Sequence, residues 1–319
     1  MDRFTNALMV YPEQHPNVVR QVMRMVEQTG ARLTIADVVP DIDSEIRWLP
    51  QGMVIDDLMR NMLAERQAEI ESTLAAEGEL PESISVRVRH GKPAVEYIRA
   101  VMSGRNDLMI KVAVGGEGLY DRLFGTTAAK LMRHCPTPVW LIKPSPDVLP
   151  RRVVAALDPM GAGSGATALN HGIIDLAAAI AAFSGGTWEA LHIWRVPGES
   201  LFTHGRNRMS RAELDRLNRM TESFHRERLE NLLNTVAVRQ PPAAVHLIKG
   251  EPERMIPEFV QRHQIDLVVM GTVTQPGIGG WLAGSTAEQA LRVAGCSLMI
   301  LKPEGFVSAV RPIDAQQAA

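Results

Sequence analysis

Residues 266–288 read Asp-Leu-Val-Val-Met-Gly-Thr-Val-Thr-Gln-Pro-Gly-Ile-Gly-Gly-Trp-Leu-Ala-Gly-Ser-Thr-Ala-Glu. The β-branched apolar run from Leu267 to Met270 predicts a buried strand that breaks at Gly271. A glycine-rich loop follows, and Gly284-Ser285-Thr286 then opens a segment with helical spacing. Strand, flexible loop and helix start, in that order, let a backbone wrap an anion. The free N–H groups and the positive dipole end of the helix point at it. Glycine on both sides lets the main chain approach without a Cβ in the way.

Working outward, the same programme recurs. Gly91 and Gly250 lie 159 residues apart, and so do Pro93/Pro252, Asp107/Asp266, Leu108/Leu267, Gly125/Gly284, Thr127/Thr286, Arg133/Arg292 and Pro144/Pro303. A constant shift over more than fifty residues marks a tandem duplication. Residues 1–144 form one half and 152–303 the other. The proline-rich stretch 145–151 joins them, and 304–319 is a tail expected to fray. In each half strand and helix alternate about five times, which predicts a doubly wound parallel sheet of the α/β class. In such sheets ligands bind beyond the carboxyl ends of the strands. Asp158 and Gly271 both fall at such ends.

The segment 266–288 resembles the signature of the universal stress protein superfamily, Gly-x2-Gly-x9-Gly-(Ser/Thr). The pattern falls here on Gly271, Thr274, Gly284 and Ser285, so the second glycine is replaced. The tandem arrangement is most similar to the two-domain, E-type members. That resemblance implies Rossmann-like, adenine nucleotide alpha hydrolase-like domains forming a pseudo-dimer, a role in surviving stress, and ATP as a ligand, with or without Mg2+. Carried over by residue, it implies a nucleotide site in the C-terminal half at Asp158, Met270, Gly271, Thr274, Gly284, Ser285 and Thr286. Thr274 counts against it, since a β-branched residue is strained at positive φ. The N-terminal half has Val112 where Gly271 stands and no acid at the Asp158 position, so its site reads as degenerate. The resemblance also implies pairing through Val139–Ile142 and Leu298–Leu301, a further dimer of chains, and an unidentified protein partner.

Composition bounds the alternatives. A net charge of −2 without a long basic run argues against a nucleic-acid partner. Two cysteines, Cys135 and Cys296, far apart and outside any CxxC, suggest a reducing cytoplasmic compartment with both thiols inside. The apolar stretch Ile173–Phe183 reads as too short for a bilayer, so no membrane partner is expected. Neither a G-x-x-x-x-G-K-[ST] loop nor a G-x-S-x-G elbow occurs, no catalytic residue is assigned, and any ATP hydrolysis is expected to be slow.

Simpler readings stand beside these. Glycine before a helix is often only a turn, and Asp158 before Pro159 reads equally as a turn acid. Asp107 and Asp266 read as turn acids. Gly161–Ala166 fits G-x-G-x-x-A, which carries a weaker reading as an NAD-type oxidoreductase; no acid clearly ends the next strand. Among nine histidines no tight ligand motif is visible; His192 and His246 end or line neighbouring strands, where they could meet in space, and read as structural histidines before metal ligands. A further alternative is a scaffold stress protein without nucleotide, holding an apolar ligand in the N-terminal half near Met53, Met59 and Met62.

Overall fold

In a computed structural model, residues 4–40, 55–76, 79–113, 125–161, 163–199, 201, 209–238, 240–272 and 295–312 are described. They divide into two compact units, Met1–Val148 with the chain from Phe306, and Leu149–Gly305.

The first unit holds strands β1 (Asn6–Val10), β2 (Arg32–Val39), β3 (Ile84–His90), β4 (Leu108–Val112) and β5 (Val139–Ile142), in spatial order β3-β2-β1-β4-β5. Every pairing is parallel. β1, β4 and β5 are buried on both faces along most of their length, which is why they read as mainly apolar runs, Lys111 in β4 being an exception. Helices α1 (Pro16–Thr29), α2 (Ile55–Ala75), α3 (Pro93–Gly104) and α4 (Gly125–His134) connect them. The chain from Phe306 lies against this unit, where the sequence suggests fraying. Ser308 Oγ donates to the carbonyl of His134 at 2.6 Å, and Arg99 Nε to that of Arg311 at 3.3 Å.

The second unit repeats the plan with β6 (Arg152–Ala156), β7 (Thr187–Trp194), β8 (Val245–Lys249), β9 (Leu267–Gly271) and β10 (Ser297–Leu301), ordered β10-β9-β6-β7-β8 and again parallel. Its helices are α5 (Ser164–Ser184), α6 (Arg211–Asn234) and α7 (Pro252–His263). The start of α6 is fixed by a capping box: Ser210 Oγ accepts from Glu213 N–H while the Glu213 carboxylate accepts from Ser210 N–H. By length and composition Gly165–Ser184 is apolar enough to cross a membrane, with mean hydropathy 1.4, longer than the stretch judged too short from sequence. In the fold it packs on β6, β7 and β9 as a core helix. Both cysteines are buried.

The hydrogen bonds expose the duplication more fully than the sequence does. Asp107 accepts from Thr5 N–H at 2.7 Å and Asn6 N–H at 3.0 Å; Asp266 accepts from Arg151 and Arg152 N–H, both at 2.9 Å. These acids therefore do more than make turns. Each ties the start of its half's fourth strand to the start of the first. They also show that the offset is 146 in the first strand. In the second strand it is 155, since Gly91 N–H donates to Val39 O and Gly250 N–H to Trp194 O. Nine residues are thus inserted between β6 and β7, and α5 is 21 residues long against 14 for α1.

Asp107→Ala removes an acceptor from two main-chain donors and the Thr5 hydroxyl. Hydrogen bonds to charged groups contribute about 1.5–3 kcal/mol each when buried, so this part-buried set should stabilise the first unit by about 2 kcal/mol in total. Urea denaturation should show that loss in the first unit's transition; an unchanged midpoint would remove the carboxylate from the account of strand alignment.

Candidate functional site

β6 and β9 are hydrogen-bonded neighbours at the switch in strand order, with Ala156 opposite Met270. The chain leaves β6 at Leu157 and turns at once. Asp158 N–H donates to Asn170 Oδ1 at 3.0 Å, and Asn170 Nδ2 returns bonds to the carbonyls of Asp158 and Ala166. Asn170 is buried and so clamps the turn from the first coils of α5. Asp158 Oδ1 accepts from Met160 N–H at 3.1 Å, an Asx turn. The carboxylate itself is exposed. The turn reading is thus realised through one oxygen, while Oδ2 holds no hydrogen bond among the described residues.

Met270 is buried and Gly271 ends β9. A Cβ on Gly271 would come within 2.6 Å of Leu169 Cδ2. A side chain there would require Leu169 to shift, so packing against α5 favours glycine, whatever else the residue does. Leu169 belongs to the extra N-terminal coils of α5, which α1 lacks. That explains why the first half tolerates Val112 at the matching position. Lys111 stands where Met270 does, and burial lowers its pKa. Pro12 takes the place of Asp158 by the 146 offset. Thr274, Gly284, Ser285 and Thr286 lie outside the described residues.

Gly161, the first residue of the G-x-G-x-x-A stretch, would bring a Cβ within 2.7 Å of the Ala166 methyl, so its glycine serves the turn. β7 ends His192-Ile193-Trp194 with Arg195 next, and no acid stands there.

Two histidines missed or misread in the sequence adjoin Asp158. His192 and His246 do not meet: His246 is paired opposite Leu191, so the two side chains leave opposite faces of the sheet. His192, buried, instead faces α6. Its Nδ1 lies 3.0 Å from the Leu157 carbonyl and its Nε2 2.8 Å from His225 Nδ1. A carbonyl can only accept, so His192 carries its proton on Nδ1 and, as a neutral ring, accepts a hydrogen bond from His225 Nδ1–H at Nε2. Both rings are neutral in this chain. Burial lowers the pKa of His192, with the neighbouring His225 acting the same way, while the Leu157 carbonyl and the Asp158 charge oppose it. Burial also lowers that of His225, again against Asp158. The rings stack at 5.1 Å between centroids, and Trp194 lies 5.9 Å from His225.

In the first half the corresponding pair is Asp37 and Arg66. Asp37 is opposite Val88 as His192 is opposite Leu247, and Arg66 precedes the end of α2 by the nine residues that separate His225 from the end of α6. Arg66 Nε donates to Asp37 Oδ2 at 2.8 Å, also meets Glu69, and sits over the Tyr11 ring. Nearby, burial and the Asp37 carboxylate push the Tyr97 phenol well above its usual range. A permanent ion pair in one half is matched by two neutral imidazoles in the other. The exchange of arginine for histidine at the 159 offset was the available sequence signal.

A profile of the universal stress protein family matches residues 7–143 and 151–302. Universal stress protein E of Escherichia coli (strain K12) is 26% identical over 326 residues, covering 99% of each chain. The Salmonella typhi protein of the same name is 25% identical, covering 97% of this chain and 98% of its own. Among solved structures, a functionally unknown protein from Pseudomonas aeruginosa PAO1 aligns with TM-score 0.67 at 18% identity, covering 95% of this chain and 94% of its own. A universal stress protein from Archaeoglobus fulgidus aligns with TM-score 0.59 at 17% identity, over 93% and 98%. These two show the fold.

The imidazole pair makes stability depend on pH. Its folded pKa values lie below the ordinary ~6.5 of the unfolded chain. The unfolded state therefore binds more protons just below that value, and stability present above about pH 6.5 is lost as pH falls toward the folded pKa values. Urea midpoints measured between pH 7.5 and 5 should fall for the wild type, and the slope should flatten in His192→Gln. Equal slopes would show that the pair does not couple to folding.

Proposed function

The chain belongs to the universal stress protein family, and we propose that its C-terminal unit binds ATP or a related adenine nucleotide as a regulatory or structural ligand in a cytoplasmic stress response. The observation that carries this reading is the position of Asp158 and Gly271, ending neighbouring strands at the switch in strand order, with one Asp158 oxygen open. The exposed carboxylate would meet adenine or ribose beside His225 and Trp194. The sugar would lie near Gly271 and Met270, and the phosphates at Gly284-Ser285-Thr286, with Mg2+ carried by the phosphates. The N-terminal site is degenerate in this reading, since Pro12, Lys111 and Val112 replace Asp158, Met270 and Gly271. Among the described residues none is positioned as a base for attack on the γ-phosphate, and hydrolysis would be slow in this reading.

A second reading is a scaffold protein without nucleotide. One observation favours it: a cavity of about 230 Å³ between α1 and α2, lined by Tyr11, Val19, Met23, Leu74, Leu80 and Pro81 with Arg20 and Arg24 at hand. Its methionine is Met23; Met59 and Met62 are not among the lining residues, and Met53 lies outside the described residues. The volume suits a short apolar chain rather than a nucleotide, whose sites are usually ~300–1,000 Å³.

The test is mass spectrometry of small molecules released on denaturing freshly purified protein, with thermal shift on adding Mg-ATP. Nucleotide near one per chain is expected. Gly284→Asp, which sets a carboxylate against the phosphates, should weaken binding at least about tenfold. Thr274→Gly should tighten it by about tenfold by removing a β-branched residue from the second-glycine position. No nucleotide and no shift in wild type and Thr274→Gly alike would overturn the reading in favour of the scaffold.

A further inference from the structure

Glu189, His246 and His263 come together from three elements, β7, β8 and the end of α7, with one potential ligand atom of each within 4.8 Å of the others. We propose that they form a site for a zinc-class divalent transition metal, at the end of the sheet opposite the nucleotide crevice. Glu189 is buried, and its Oε2 lies 2.8 Å from His246 Nε2. Its other oxygen faces the Arg152 guanidinium at 3.6 Å, which keeps Oε2 turned to the histidines. Phe259 stacks on His263 at 4.1 Å between centroids and meets His246 edge-on at 4.7 Å. Both rings are thereby held on one side by an apolar wall.

The donor set decides the ion. Two imidazoles and one carboxylate carry a single negative charge, too few oxygens for Ca2+ and too much nitrogen for Mg2+. A tetrahedral Zn2+ with bonds of 2.0–2.1 Å needs ligand atoms about 3.3 Å apart. The His246–Glu189 pair need only open slightly and the remaining distances close by about 1.5 Å at most, within reach of side-chain rotation. The metal would take the place of the hydrogen between Nε2 and Oε2, and neutral His246 would bind it through Nε2 with its single ring proton moved to Nδ1. Both histidines are partly exposed, which leaves the fourth position to water.

The duplicated half supplies an internal control. By the strand and helix offsets, Thr34, Arg87 and Gly104 occupy the places of Glu189, His246 and His263: Arg87 is opposite Ala36 as His246 is opposite Leu191, and Gly104 ends α3 as His263 ends α7. The fold is satisfied without a carboxylate and two imidazoles at these positions. A packing requirement therefore does not account for them.

The experiment uses full-length protein stripped with chelator and titrated with Zn2+ by calorimetry, and with Co2+ by absorption. One tight ion per chain is expected. The Co2+ spectrum should be tetrahedral and lack the sulfur charge-transfer band that Cys135 or Cys296 would give. His263→Ala should weaken Zn2+ binding at least about tenfold, since even outer-shell losses cost that much. Its metal-free circular dichroism and melting temperature should be unchanged. Glu189→Thr, the residue the first half carries, should do the same. If that variant fails to fold, His263→Ala decides alone. Absence of Zn2+ binding in wild type, or affinity retained in His263→Ala, would overturn the site.

Discussion

The register between the first and fourth strands of each half is the constraint on which everything else rests. A parallel pair has no hairpin to set its alignment, because its strands are joined by long crossovers. Here one carboxylate does so at the amino end: Asp107 grips Thr5 and Asn6, and Asp266 grips Arg151 and Arg152. From that anchor the pairing runs forward to Ala156 opposite Met270. A slip of one residue would send every side chain to the other face. Met270 would then leave the core, and Leu169 would meet a side chain where it now meets Gly271. The alignment of strand ends at the switch is set some five residues away, at the opposite edge of the sheet.

Duplication allowed the two halves to solve the same positions with different chemistry. In the first, Asp37 and Arg66 form an ion pair, and the arginine is also shared with Glu69 and the Tyr11 face. In the second, His192 and His225 are linked by one hydrogen bond whose direction the Leu157 carbonyl dictates. Protonating His192 would destroy the lone pair that receives the His225 proton. Charge is tolerated in one half because it arrives paired; it is resisted in the other because burial disfavours the imidazolium.

Much of this was legible in the sequence. The apolar run Leu267–Met270 and the alternation of strand and helix follow from local chemistry, the offset of 159 follows from the repeat, and the elements lie where these put them. What could not be read was which face a residue takes relative to a neighbouring strand. His192 and His246 were obvious candidates to meet, yet a one-residue stagger separates them across the sheet. The partners they do find, His225 and Glu189 with His263, lie 33, 57 and 17 residues away. Gly271 shows the converse. Its glycine reads as room for a ligand, and the fold reveals a close contact with Leu169 that exists only because α5 begins early.

β7 shows how one strand can serve two chemistries. Glu189 and His192 are three residues apart, about 10 Å at the rise of a strand, and an odd spacing sends them to opposite faces. Glu189 therefore joins α7 and β8 near the amino edge, and His192 joins α6 and the Asp158 turn toward the carboxyl edge. Neither shares a hydrogen-bond partner with the other. Charges on the two faces can interact only through the strand between them, so ligation at one end need not alter protonation at the other. The parallel sheet, by gathering strand starts on one edge and strand ends on the other, keeps the two sets of histidines apart although a single strand carries a member of each.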